Sequence, residues 1–155
     1  QQAMAEGFDQ VIWTDAKEHR FIEESGTMNV IFIIDGIVVT PPVSGTILDG
    51  ITRDSLLTLA KKAGIPVEER PISLQELEEA FERGKKIEAY GVGTAAVVTP
   101  MELISINGKQ YFPDLSDTAL QQLRKELNDI RTGQVPDPYG WNDIIGINHF
   151  VPQSL

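Results

Sequence analysis

From Val30 to Ile34 every residue is aliphatic or aromatic. The segment Asn29 to Ile34 is too short for an ordinary helix, so it reads as a strand buried on both faces. Asp35-Gly36 follows at once and leads into Ile37-Val38-Val39-Thr40. That dipeptide favours a two-residue hairpin turn, because both of its residues accept positive φ. Pro41-Pro42 then ends the second strand, since proline cannot donate to a ladder. Whatever else the chain builds must cover this hairpin from both sides.

The remaining elements can be read around it. Val11-Ile12-Trp13-Thr14 is a short strand, and Asp15 to Arg20 a polar turn after it. A helix is expected from Thr52 to Ala63, with Leu56, Leu59, Ala60 and Ala63 on one face and Gly64 just past its end. Val67 to Ile72 reads as a strand. Ser73-Leu74-Gln75-Glu76 is a capping box that opens a helix to about Arg83. Ile87 to Val98 is strand-like with a glycine-bearing interruption, and Met101 to Ile106 leads to a turn at Asn107-Gly108. A last helix opens near Ser116, repeats Leu120, Leu123, Leu127 and Ile130, and stops at Gly133. Strands alternate with helices and hairpins are mixed in, which predicts an α/β domain with a mixed sheet. Gln1 to Glu6 are helix formers without an N-cap, ended by Gly7. A chain that opens inside a helix, without an initiator methionine, is expected to be cut from something longer.

Composition removes several function classes. Thirteen basic residues stand against 23 acidic ones, for a net charge of −10. That balance argues against nucleic acid, and no basic stripe overrules it. The acids at Glu68, Glu69, Glu76, Glu78, Glu79 and Glu82 read as a solvated helix face. There is no cysteine, and the two histidines, His19 and His149, lie far apart, so zinc is not expected. A five-residue apolar run cannot cross a bilayer. The expectation is a soluble, cytoplasmic, single domain over residues 1–155.

Three blocks put small residues and hydroxyls where a backbone can approach a ligand. They are Glu24-Ser25-Gly26-Thr27-Met28-Asn29, then Gly45-Thr46-Ile47-Leu48-Asp49-Gly50-Ile51-Thr52-Arg53-Asp54-Ser55, then Gly91-Val92-Gly93-Thr94-Ala95-Ala96. The second block opens a helix, where free amides and the dipole attract an anion. A threonine N-cap at Thr52 is the plainer reading of the same turn, and a glycine bulge in a strand that of the third block. Gly91-Val92-Gly93 is not a dinucleotide fingerprint, because Ala96 replaces the third glycine.

Together, and in this order, the blocks resemble the C-terminal half of the branched-chain amino acid aminotransferases, which are fold-type-IV pyridoxal phosphate enzymes. The resemblance spans roughly residues 5 to 142 and weakens in the Asn148-His149-Phe150 tail. It implies the larger, cofactor-binding domain of a two-domain enzyme: a mixed-sheet pseudo-barrel with surrounding helices. It implies that Glu24, and not Glu23, meets the cofactor's pyridine nitrogen. By the same resemblance Leu48 packs on the ring, the amides of Ile51 and Thr52 hold the phosphate, and Gly93 turns the chain. The hydroxyl of Thr94 then approaches the phosphate, and the amides of Thr94 and Ala95 meet the substrate carboxylate. Asp49 departs from the family, which more often has proline there.

The lysines are Lys17, Lys61, Lys62, Lys85, Lys86, Lys109 and Lys125, all expected in turns or on polar helix faces. None promises the desolvation that a Schiff-base lysine needs. The resemblance puts that lysine upstream of Gln1, together with the smaller domain that carries a phosphate-binding arginine. The implied enzyme transfers an amino group between leucine, isoleucine or valine and 2-oxoglutarate, as a homodimer. The chain alone is expected to be inactive, with pyridoxal 5'-phosphate absent or weakly bound. A second reading is a stand-alone, non-catalytic α/β module that binds a phosphorylated ligand or partner through the same helix start.

Overall fold

The computed structural model describes residues 2–95, 97–116 and 119–145. In chain order it builds α1 (Gln2–Ala5), β1 (Ile12–Thr14), β2 (Ile22–Ser25), β3 (Met28–Ile34) and β4 (Ile37–Thr40). Then come α2 (Ile51–Lys62), β5 (Val67–Glu69), α3 (Leu74–Glu82), β6 (Ile87–Gly93) and β7 (Val97–Pro100). A separate hairpin of β8 (Ile104–Ile106) and β9 (Lys109–Tyr111) precedes α4 (Ala119–Arg131). Expectations that touch Gln1, Ala96 and the 148–155 tail lie outside the described residues.

The apolar run becomes the middle of a seven-stranded sheet. One edge of β3 is shared: its start pairs with β2 and its end with β4, both antiparallel. Its other edge pairs antiparallel with β6. Asp35 (φ 50°) and Gly36 (φ 83°) make the β3–β4 turn in the left-handed conformation that the hairpin requires. The pair β4–β5 runs parallel, and α2 is the crossover that joins them. The sheet is therefore mixed, as the alternation of elements predicts.

Alternation along β3 divides the interior in two. Ile31 and Ile33 enter a core with Leu56, Leu57, Leu59 and Ala60 of α2, Tyr90 and Val92 of β6, and the Leu120, Leu123, Leu127, Ile130 stripe of α4. Val30, Phe32 and Ile34 enter the other, with Leu77 and Ala80 of α3 and Ile104, Ile106 and Tyr111 of the β8–β9 hairpin. Burial on both faces is why β3 reads as an unbroken apolar run. The capping box is realised, with Ser73 Oγ accepting from the Glu76 amide at 3.0 Å. Among the described residues no helix is long and apolar enough to cross a membrane.

Several boundaries differ from expectation, and the strand read over Val67 to Ile72 ends already at Glu69. The helix read as opening at Thr52 has Gly50 as its N-cap with no side-chain cap, so Thr52 is its second residue. Ala63 is an exposed C-cap and not part of the buried stripe. The segment 87–98 is two strands: the chain turns at Thr94 and Ala95, and β7 returns antiparallel with Gly93 opposite Val97.

The polar turn after β1 is held by one carboxylate. Asp15 accepts from the amides of Glu18 (2.6 Å), Arg20 (2.8 Å) and Phe21 (2.7 Å). These bonds, Phe21's foremost, pull its pKa from 3.8 to about 2. A depressed carboxylate contributes stability that is full above the unfolded value and is lost as pH falls through the folded one. Asp15→Ala should therefore lower the melting temperature near neutrality, with the gap to wild type closing between pH 3.8 and about 2. Melting curves over that window measure it.

Candidate functional site

Sheet register sets out the first part of the site. Glu24 of β2 lies opposite Asn29 of β3, and Asn29 lies opposite Val92 of β6. The row crosses three strands on the face that carries Ile31, the face covered by α2.

The loop between β4 and α2 is drawn onto this row. Glu24 Oε1 accepts from the Leu48 amide at 3.0 Å, and Asn29 Nδ2 donates to the Leu48 carbonyl at 2.9 Å. The neighbouring acid takes another part of the loop, since the Thr46 hydroxyl donates to Glu23 Oε1 at 2.7 Å. Two adjacent carboxylates thus hold one loop, although the sequence distinguishes them only by resemblance.

Helix α2 starts where that loop ends. Its intrahelical ladder begins with the Asp54 amide donating to the Gly50 carbonyl at 3.0 Å. Among the described residues no carbonyl or side chain accepts from the amides of Ile51 and Thr52. Two orphan donors at the positive end of a helix form an anion-attracting surface. Leu48 and Ile51 are 69% and 83% exposed beside it, so two apolar side chains flank the free amides.

Arg53 anchors this helix start and is only 2% exposed. Its Nη2 donates to the Pro41 carbonyl (2.8 Å) and to Glu69 (3.1 Å), and its Nε to Thr40 Oγ1 (3.3 Å). Lys61 first, and then Arg53, hold the Glu69 carboxyl below its usual range. Local sequence gives Arg53 no evident role, because its partners lie on other elements. Its signal was the spacing Arg53, Leu56, Leu57, Ala60, which puts an arginine on the apolar stripe.

Gly50 is required by packing. A Cβ there would lie 1.9 Å from Asn29 Oδ1, although its φ of −77° suits any residue. Gly50→Ala should therefore cost about 1–3 kcal/mol through forced displacement of Asn29 or of the loop. Denaturant titration of the variant is the check.

The third block completes the row's far end. Met28 lies across Gly91 and Gly93, whose added Cβ atoms would come within 2.7 and 3.2 Å of its side chain. These glycines admit a methionine on the face opposite Glu24. Thr94 and Ala95 are exposed in the turn that follows. Val97 then takes φ 59°, a left-handed conformation that costs a β-branched residue about 1–3 kcal/mol.

Glu24 and Leu48 are thus directly joined, and Ile51 and Thr52 follow within the same loop-to-helix junction. Gly93 continues the strand of Val92. Among the described residues no hydrogen bond links the 94–95 turn to residues 48–52. Clefts of about 510 and 680 Å³ lie elsewhere, the first against Tyr90 and Arg124, the second against Ser25, Met28 and Gly91. None of the seven residues expected at the cofactor and substrate lines either cleft.

A model of the amino-transferase class IV family matches residues 1–104. The chain belongs to that family. Within it, the chain is 45% identical over 139 residues to branched-chain-amino-acid transaminase 1 of Bacillus subtilis strain 168, covering 87% of this chain and 38% of that protein. Its fold superposes on the branched-chain amino acid aminotransferase of Escherichia coli with a TM-score of 0.71 at 30% identity, over 92% of this chain and 45% of that one. An aminotransferase from Brucella abortus, bound to the co-factor PLP, gives a TM-score of 0.66 at 26% identity over 81% of this chain and 41% of that one. The chain thus spans less than half the length of each of these relatives.

Proposed function

We propose that the whole protein is a pyridoxal-phosphate-dependent transaminase of branched-chain amino acids and 2-oxoglutarate, and that this chain provides the cofactor's bed. The observation that carries the reading is the β2–α2 junction. There a carboxylate held from one side adjoins an uncapped helix start and two exposed apolar side chains. An anionic phosphate, an aromatic ring and a ring nitrogen would meet complementary groups in that order: amides, Leu48, Glu24.

When bound, pyridoxal phosphate supplies a ring that draws negative charge away from the amino acid's α-carbon. Glu24 would keep a proton on the ring nitrogen, which that chemistry needs. Ile51 and Thr52 would donate their amides to the phosphate, with the Thr94 hydroxyl joining them. Leu48 would cover one ring face and keep water from it. The turn after Gly93 would present the amides of Thr94 and Ala95 to the substrate carboxylate. The catalytic lysine and the smaller domain would come from the part of the relatives' length that this chain does not span. A homodimer would complete the sites.

Spectroscopic titration of the full-length protein with pyridoxal phosphate, and an assay with leucine and 2-oxoglutarate, test this. Retention of inorganic phosphate or a phosphopeptide with no affinity for pyridoxal phosphate would favour a non-catalytic module instead.

Ile51→Pro separates phosphate binding from folding. Ile51 is the first helical residue, where proline fits the backbone, removes the N–H and leaves a smaller apolar side chain, and Gly50 before it is already extended (ψ 119°). The helix should persist while affinity for pyridoxal phosphate falls about tenfold, as expected for a lost hydrogen bond to a charged group. Affinity for pyridoxal, which lacks the phosphate, should not change. Paired titrations with the two ligands measure it.

A further inference from the structure

Asn29 is 5% exposed, and a buried carboxamide needs partners for its donors. Its Nδ2 donates to the Leu48 carbonyl at 2.9 Å and approaches Glu24 Oε1 at 3.4 Å, while the Leu48 amide donates to that same Oε1 at 3.0 Å. The three residues close a ring of contacts between β2, β3 and the loop. Both contacts to Glu24 fall on Oε1, and among the described residues no group donates to Oε2. On the other side of the amide, Oδ1 fills the space that a side chain at position 50 would need.

We propose that Asn29 is a positioning residue that fixes the Glu24 carboxylate and the Leu48–Gly50 loop as one unit, so that Oε2 is the oxygen offered to the cofactor's ring nitrogen. The proposal rests on the assignment of Glu24 to that nitrogen. A planar amide suits the task because its two hydrogens diverge. One side chain can therefore restrain a carboxylate on a neighbouring strand and a carbonyl on the loop in front of the helix. The loop then carries the restraint to Gly50, whose carbonyl accepts the first bond of α2. The ring acid and the phosphate-binding amides are thereby set at a fixed separation, which suits a rigid ligand that must meet both.

Asn29→Asp keeps the shape and the oxygen against Gly50, but it replaces the donor with an acceptor that faces two acceptors. Asn29→Ala removes both functions and leaves space for water. Were Asn29 only filling volume, alanine would be the more harmful. Under the proposal aspartate is.

The experiment uses the full-length apoenzyme, with melting curves to establish that each variant is folded. Two quantities are read: the dissociation constant of pyridoxal phosphate, and the protonation of its ring nitrogen by ¹⁵N NMR. Asn29→Asp should weaken binding at least about tenfold and reduce ring-nitrogen protonation, with Asn29→Ala intermediate. In a Glu24→Gln background the Asn29→Ala effect should fall by more than about half, because coupled residues are not additive. That cycle decides the matter even if the aspartate variant does not fold. Wild-type affinity and ring protonation in Asn29→Asp, or additivity of Asn29→Ala with Glu24→Gln, would overturn the proposal. If Glu24→Gln itself leaves the ring nitrogen's protonation unchanged, the assignment of Glu24 fails instead, and the cycle registers that separately.

Discussion

Replacing Glu24 by glutamine in the full-length enzyme is expected to lower kcat on the order of 10³-fold while the fold survives. Glutamine can still accept from the Leu48 amide through its Oε1, so the loop keeps its tether. The atom facing outward becomes an NH₂, however, which donates where the carboxylate would have accepted. A ring nitrogen met by a donor holds no proton, and the stabilisation of negative charge at the substrate's α-carbon is lost in the transition state. Glu23→Gln should cost less than about tenfold, because its contact with the Thr46 hydroxyl is an exposed neutral–charged hydrogen bond that glutamine can retain. Steady-state kinetics on both variants decide the assignment. Equal, small effects would remove Glu24 from the chemistry.

The second large effect is an absence of turnover. The 155-residue chain, assayed with leucine, 2-oxoglutarate and saturating pyridoxal phosphate, should show no transamination. A lysine that attacks a carbonyl must surrender its proton, which burial or a neighbouring cation promotes. All seven lysines are exposed. Lys61, Lys62, Lys85, Lys109 and Lys125 are each paired with a carboxylate. Tyr139 and then Glu126 raise the pKa of Lys62, and Glu82 and then Tyr111 raise that of Lys109. Those shifts oppose what a nucleophilic amine requires. Robust activity from the purified chain would show that one of these lysines serves after all.

Much of the architecture could be read locally. The β3–β4 hairpin, the Ser73 cap and the α4 stripe each depend on residues within a few positions of one another, and sequence displays such patterns directly. The exceptions have long-range causes. The strand expected from 87 to 98 folds back because Val98 and Thr99 find partners on Val92 and Gly91, a pairing no periodicity announces. Threonine is a good cap, so the sequence points to Thr52 as the start of α2. The structure uses Gly50 there, since Asn29, twenty-one positions away, leaves no room for a side chain.

The site divides the same way. Resemblance points to Glu24, Leu48, Ile51 and Thr52; the structure joins Glu24 to Leu48, and among the described residues the amides of Ile51 and Thr52 have no acceptor. Asn29 and Arg53 went unread in their roles because their partners lie on other elements. For Arg53, the partners at Thr40, Pro41 and Glu69 come together only once β4, α2 and β5 have packed.

Because β2 and β4 share one edge of β3 while β6 takes the other, a single strand acts as the datum from which several distances are set. The acid's strand is registered to β3 directly, the loop before α2 through β4 and Asn29, and the 94–95 turn through β6. A displacement of β3 along its own axis would carry all three with it, so their mutual spacing tolerates such an error better than if each were fixed to a different neighbour. A designer grafting the proposed cofactor bed onto another scaffold should accordingly transplant β3 with its three partners as a block, and not the individual side chains.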